Sequence, residues 1–543
     1  MGAPAHRVRP VRRADVVGAD AAAAMVRDGA VVALAGSGGG LLEPDEILAA
    51  IERRFLATGH PRDLTVVHAL GIGDGAERGM NRFAHEHMVR RVVGGHWTWS
   101  PRMQQLARED RIEAYALPSG VISMLCRESG ARRPGLFTRV GLDSFADPRR
   151  GGGKLNARTT EDIVQVVEID GVEYLRYLPI RVDVGIVRGS VADERGGISF
   201  RDEPAMLDSL AVAMAARGNG GIVLAQVKRL ARDGSLDPQL VHVPAPMVDA
   251  VVVAPGQWQT YASEDDPELS GRRRPATREI ALSAPLDVRA VVARRAALEI
   301  HPGDVVNVGF GMSAGVVDVL GDHRRLDDIE LCIEQGAIGG LPVGGDLFGV
   351  SRGPHALLPS TVQFDLFASG MLDVTALGMA EVDRHGNVNV SRIAGQAVGP
   401  GGFVDISQGA ARAVFCGTLT TRGLEVEVAH GRLRIVREGS LHKFVREVDQ
   451  VSYSARLAGS EGRSALYVTE RAVFRLDGEG LTLVEVAEGL DPERDVIAHM
   501  DFTPAIGDVR PIPPAVFGAG PLWPDPAPGG PRGGRPTHER IKP

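Results

Sequence analysis

A chain of 543 residues, 44% hydrophobic and 24% charged, has the length for roughly two to four domains and the composition of a globular protein with sizeable cores. Its formal net charge is -8 and its basic residues are scattered rather than striped, which argues against nucleic acid as a partner. No apolar run approaches the roughly 18 residues that span a membrane, and three distant cysteines, Cys126, Cys332 and Cys416, form neither a disulfide framework nor a metal-binding pair, so a cytoplasmic protein with no membrane partner is expected.

The Arg-rich N-terminus lacks the apolar stretch of a signal peptide, and His6 breaks the myristoylation pattern that Gly2 would begin. Val31–Leu34 predicts a strand, then comes the glycine cluster Gly36-Ser37-Gly38-Gly39-Gly40, and a helix follows over 43–56. Leu64–His68 predicts the next strand. His85-Glu86-His87 lacks the spacing of a catalytic zinc helix, and no metal is expected there. Residues 263–285, which include the basic run Arg272-Arg273-Arg274, are rich in charge, Pro and Gly without periodicity. They are read as the boundary between two domains, 1–275 and 286–522. In the second half Val305–Val308 and 329–333 predict strands, and the Pro- and Gly-heavy residues 523–543 are read as a disordered tail. Several strands lack alternation, as strands of a parallel sheet covered on both faces do, so the fold class is α/β with largely parallel sheets.

One unit occurs twice. Val182-Asp183-Val184 followed by Asp193 and Gly196 matches Leu372-Asp373-Val374 followed by Asp383 and Gly386, and Gly29-Ala30-Val31-Val32 matches Gly303-Asp304-Val305-Val306. The fold expected is therefore two tandem related open α/β domains.

The densest chemical signal is the stretch 329–340, where a strand ends at Glu334 and enters Gln335-Gly336-Ala337-Ile338-Gly339-Gly340. Ligands of open α/β sheets sit beyond the carboxyl ends of strands, and glycines leave N–H groups free to bond them. A strand-terminal Glu facing water beside a flexible turn is the plainer reading of the same residues. A second cluster, Gly399-Pro400-Gly401-Gly402, precedes Phe403-Val404-Asp405. Two rivals are present: Gly311-Met312-Ser313-Ala314-Gly315 is a literal GxSxG, which would make Ser313 the nucleophile of a serine hydrolase or thioesterase, but no oxyanion loop or ordered Asp and His accompany it. Residues 309–314 also fit GxGxxA, with Glu334 in the place of a ribose-binding acid.

The chain resembles the family I CoA-transferases of the single-chain acetate/propionate, acyl-CoA:acetate/3-ketoacid type. The resemblance is carried by 36–44, Gly94-Gly95-His96-Trp97, 145–149, Gly152-Gly153-Lys154-Leu155-Asn156, 380–391, 401–406 and Phe415-Cys416-Gly417-Thr418. It implies that Glu334 is the nucleophile, that the N–H groups of Gly401 and Gly402 face it as oxyanion donors, and that Gly38, Gly39 and Ser119 contribute to substrate binding. Gln335 replaces the family's Ser or Asn, Pro400 stands where Cys is expected, and Ser119 and Met124 stand where relatives often carry Gln and His. The activity implied is transfer of CoA between a short-chain acyl-CoA and an acid such as acetate, propionate or acetoacetate, by a homo-oligomer with coenzyme A as substrate and no permanently bound cofactor. A carboxylate, with an ordinary pKa near 4.3, needs no base to attack a thioester. A non-catalytic acyl-CoA-binding protein on the same fold is the third class, and it requires Glu334 to be dispensable.

Overall fold

A computed structural model describes residues 13–275, 286–478, 480–518 and 521–523. Part of the boundary expected at 263–285, and the tail beyond Trp523, lie outside the described residues. Trp523 itself packs edge-on to His323 at 5.0 Å and beneath Arg325. No helix among the described residues is long and apolar enough to cross a membrane.

The first sheet runs in the order Asp15–Val17, Ala250–Val253, Ile222–Ala231, Val184–Asp193, Val31–Leu34, Leu64–His68, Val89–Gly94, Glu113–Ala116, every neighbour parallel. Its central strands are apolar on both faces because helices cover both: Leu64–His68 is buried throughout, as is nearly all of Val184–Asp193. The second sheet runs Glu330–Leu331, Val305–Val308, Val374–Gly378, Arg412–Cys416 and Ser464–Val468 in parallel, then turns antiparallel through Ala472–Asp477 and Gly480–Val486.

The duplication read from sequence is visible atom by atom. In each sheet the glycine-turn strand lies between the next strand in sequence and the strand carrying the repeated Asp. Asp183 accepts the Val31 N–H through its carboxylate at 2.9 Å, and Asp373 accepts the Val305 N–H at 2.8 Å. The backbones pair in return, Asp183 N–H to Val31 and Asp373 N–H to Val305, at 2.9 and 3.0 Å. Asp193 and Asp383 each close a turn by accepting N–H groups two and four residues on. The repeated aspartates are therefore carboxylate staples that register a strand edge.

The helix predicted over 43–56 is Asp45–Thr58, entered after Pro44 and closed by Gly59 in the left-handed region, whose N–H returns to Phe55 at 2.7 Å. Glu43 is excluded from it because its side chain is buried, with Tyr261 donating to it at 2.6 Å.

The carboxyl ends of the two sheets face each other across a seam of backbone hydrogen bonds. Gly401 N–H donates to Gly95 at 2.9 Å, Ser119 N–H to Gly401 at 2.9 Å, and Trp97 N–H to Val398 at 2.9 Å. Gly120 N–H adds a bond to the buried Asp405 carboxyl at 3.1 Å.

Losing a charged acceptor of this kind costs about 1.5 to 3 kcal/mol. Asp373→Ala is thus expected to lower stability by that amount and Asp373→Asn by less, read from denaturant unfolding. Equal stability of Asp373→Ala and the parent would show that the staple contributes nothing.

Candidate active site

Glu334 does not end a long strand. The predicted strand 329–333 pairs only over Glu330–Leu331, after which the chain folds into a tight turn closed by Ile333 N–H to Ala337 at 2.9 Å and by Ala337 and Leu357 in a short antiparallel pair. Gly336 makes the turn possible: its φ is +111°, and a Cβ there would run into the Leu358 carbonyl. Beneath the turn the buried Asn307 donates to the Cys332 carbonyl at 2.9 Å and accepts from Thr375 at 3.2 Å, tying the turn to two strand ends. Glu334 is thereby held at the tip, over the carboxyl edge of the second sheet.

Two donors meet its carboxyl. Gln335, 2% exposed, donates its amide to Glu334 Oε1 at 3.1 Å, and the Gly402 backbone N–H lies near enough to favour the ionised form. Gly402 caps the helix Phe403–Gly409 and lies so close that a Cβ on it would collide with Glu334 Oε2. Glycine here is demanded by that close approach, since its φ of -84° suits any residue. Gly401 differs: it adopts φ +56°, and its N–H is held by the Gly95 carbonyl. Only Gly402 presents its N–H to Glu334.

Glu334 lines two compartments. One, of about 130 Å³, is walled mainly by the first half: Ser37, Gly38, Leu70, Gly71, His96 and Trp99, with Gln335 beside the carboxyl. The other, of about 210 Å³, runs over the second half past Asn307, Gly309, Leu377, Val398 and Phe403. Phe310 and Phe348, edge-to-face at 5.2 Å, border both.

Burial pushes the Glu334 carboxyl up to about 7, against the Gly402 N–H and the Gln335 amide, which favour its ionised form. The ordinary carboxylate value near 4.3 expected from sequence therefore does not hold; desolvation in the closed seam is the reason. Burial likewise holds His96 down to about 4, a neutral imidazole beside the carboxyl. Asp405 is raised well above its usual range, first by burial and further by Glu334.

Of the residues singled out from sequence, Glu334, Gly38, Gly401 and Gly402 converge. Gly39, at φ +74°, packs instead against the Asp346 carbonyl, joining the first glycine cluster to the loop after Glu334. Ser119 borders neither compartment: it is fully buried, donating its hydroxyl to the Ala69 carbonyl at 2.6 Å behind Gly95. Met124 is buried as well. Ser313 is fully buried, with its hydroxyl on the Gly309 carbonyl at 3.1 Å, which removes the exposed nucleophile that a hydrolase elbow needs. His85 pairs with Glu52 at 2.9 Å. Sequence reading missed Asn307, Trp99, Phe310 and Phe348. His96, Asp405 and Phe310 lay inside stretches that it had marked, and Asn307 inside a predicted strand, but none had been given a place in the site.

Residues 17–254 match the model of the family described as coenzyme A transferase. The chain is 40% identical over 502 residues to the acetate CoA-transferase YdiF of Escherichia coli O157:H7, covering 92% of this chain and 94% of that one. It is 40% identical over 514 residues to the caffeate CoA-transferase of Acetobacterium woodii, covering 93% and 97%. A crystal structure described as acyl-CoA transferase from E. coli O157:H7 in a thioester complex with CoA superposes with a TM-score of 0.88 at 39% identity, over 94% of this chain and 98% of that one.

Because a hydrogen bond to a charged group contributes about 1.5 to 3 kcal/mol and one pKa unit is 1.36 kcal/mol, removing the Gln335 donor moves the Glu334 carboxyl upward by about one to two units. Carboxyl-¹³C NMR difference spectra between the wild type and Glu334→Gln should place the midpoint near 7, and Gln335→Leu should raise it. A midpoint between 4 and 5 in both proteins would show that the site does not desolvate the carboxyl.

Proposed function

We propose, from the premise that this chain belongs to the coenzyme A transferase family, that it moves CoA between a short-chain acyl-CoA and a carboxylic acid such as acetate through a covalent thioester on Glu334. The observation that carries the reading is a buried carboxyl held between two donors at the junction of two compartments.

The chemistry follows from that geometry. The ionised Glu334 attacks the thioester carbonyl, the C–S bond breaks, and an acyl-glutamyl anhydride and a CoA thiolate result. The thiolate adds to the Glu334 carbonyl, the anhydride C–O bond breaks, and the acid leaves as a carboxylate, with CoA now bound to Glu334 as a thioester. An incoming carboxylate reverses both steps and departs as the new acyl-CoA. No proton is gained or lost overall, and the thioester energy is conserved.

When the thiolate adds to the glutamyl carbonyl, charge develops on an oxygen standing where Gly402 already donates. One fixed donor of this kind contributes about 2.7–4 kcal/mol to a transition state. The apolar lining of the second compartment and the aromatic pair at its border suit a path for the CoA arm and for exclusion of water, without which both intermediates hydrolyse. On this reading residues 1–275 supply the acyl-side wall and residues 286–522 supply the nucleophile and the CoA side.

In an acetyl-CoA to propionate transfer assay, Glu334→Ala should abolish turnover while retaining the wild-type melting temperature. Glu334→Asp, one methylene shorter, should lose about 10²-fold or more through misplacement of the attacking oxygen. Near-normal transfer by a well-folded Glu334→Ala protein would refute the reading.

A further inference from the structure

The two similar enzymes described above carry different acids in their names, one acetate and the other an aryl-propenoic acid. The compartment walled by Ser37, Gly38 and Trp99 beside Glu334 is small against the larger of these acids. Its volume is about 130 Å³. At about 30 Å³ for each water-sized group, and with a cavity of about 150 Å³ holding a benzene ring, that is room for roughly four to five non-hydrogen atoms beyond the carboxyl, whereas cinnamate has roughly eight.

The wall that limits it is Trp99. Its indole is wedged between two glycines of different loops: a Cβ on Gly71 would stand 2.6 Å from Trp99 Cδ1, and one on Gly38 would collide with the ring. Its backbone has no freedom to swing away. The Trp99 carbonyl accepts the Gly75 N–H at 3.0 Å and the amide of the fully buried Asn81 at 3.0 Å. A Cβ on Gly73 would stand 2.5 Å from the same carbonyl, and the helix Pro101–Arg108 begins two residues later. Phe310, 61% exposed, sits at the open border of the compartment instead.

We propose that Trp99 is the specificity-determining residue for the acid, confining the site to short unbranched chains and rejecting aryl-propenoic acids. The proposal rests on Glu334 being the covalent centre next to this compartment.

Transfer from acetyl-CoA to propionate, butyrate, hexanoate and cinnamate is measured on one preparation each of wild type, Trp99→Ala, Trp99→Leu and Trp99→Phe. A methylene that does not fit costs about 10- to 200-fold in kcat/KM. The wild type should lose at least that between butyrate and hexanoate and give no cinnamoyl-CoA. Trp99→Ala and Trp99→Leu should raise the hexanoate-to-propionate ratio of kcat/KM by about 10²-fold or more, and Trp99→Phe by less than tenfold. Because the ratio is taken within one preparation, a partly unfolded fraction cancels. A ratio unchanged in both Trp99→Ala and Trp99→Leu, or a wild type that takes cinnamate as readily as propionate, overturns the proposal. Failure of the underlying reading shows differently, as a wild type that transfers to no acid at all, and it removes the proposal with it.

Discussion

The site depends on one seam, the backbone hydrogen bonds that join the loop 95–97 and the helix Ser119–Gly130 to the loop 398–402. Gly401 is bonded on both sides, through its N–H to Gly95 and through its carbonyl to Ser119, which leaves the next N–H, that of Gly402, directed at Glu334. The same bonds seat the first half's Trp99 and His96 against the second half's carboxyl. Residues roughly 300 positions apart in sequence are thus fixed to within hydrogen-bond tolerance, the precision that positional catalysis requires. Asp405 reinforces the seam from inside by accepting the Gly120 N–H.

Closure of the seam has an electrostatic consequence. Desolvation raises the Glu334 carboxyl to about 7, so a substantial part is protonated at neutral pH, while Gly402 and Gln335 pull the other way. A dry site protects an anhydride and a thioester from water but disfavours the carboxylate that must attack. The Gln335 amide on Oε1 and the Gly402 N–H nearby reconcile these demands, because they favour the anion in the resting state and the oxyanion during transfer. Gln335 is a donor long enough to reach the carboxyl of its own neighbour in sequence. Gly349, where a Cβ would stand 2.7 Å from Gln335 Cδ, makes the room for it.

Local pattern made much of this legible. Val31–Leu34, Leu64–His68 and Val305–Val308 were readable to the residue, because short Val- and Leu-rich runs without helical periodicity have few other solutions. The duplicated Asp183 and Asp373 were readable because the same staple needs the same residue at the same register. What sequence could not supply was direction across the seam. Nothing local shows that the Gly401 N–H is taken up by Gly95, that Ser119 faces Ala69 instead of the substrate, or that Trp99 lies between Gly38 and Gly71. The shift of Glu334 was hidden for the same reason, since desolvation is set by what the other half of the chain places on top of the carboxyl.

The central claim is that CoA passes through a covalent bond to one side chain, and peptide mapping tests it most directly. Protein incubated with acetyl-CoA and reduced with borohydride should yield a peptide containing residue 334 whose mass corresponds to reduction of the glutamyl thioester to the alcohol, with the change localised by fragmentation to Glu334. It should be absent from protein incubated with free CoA. Modification of any other residue, or an unmodified Glu334 in protein that is actively transferring CoA, would contradict the account.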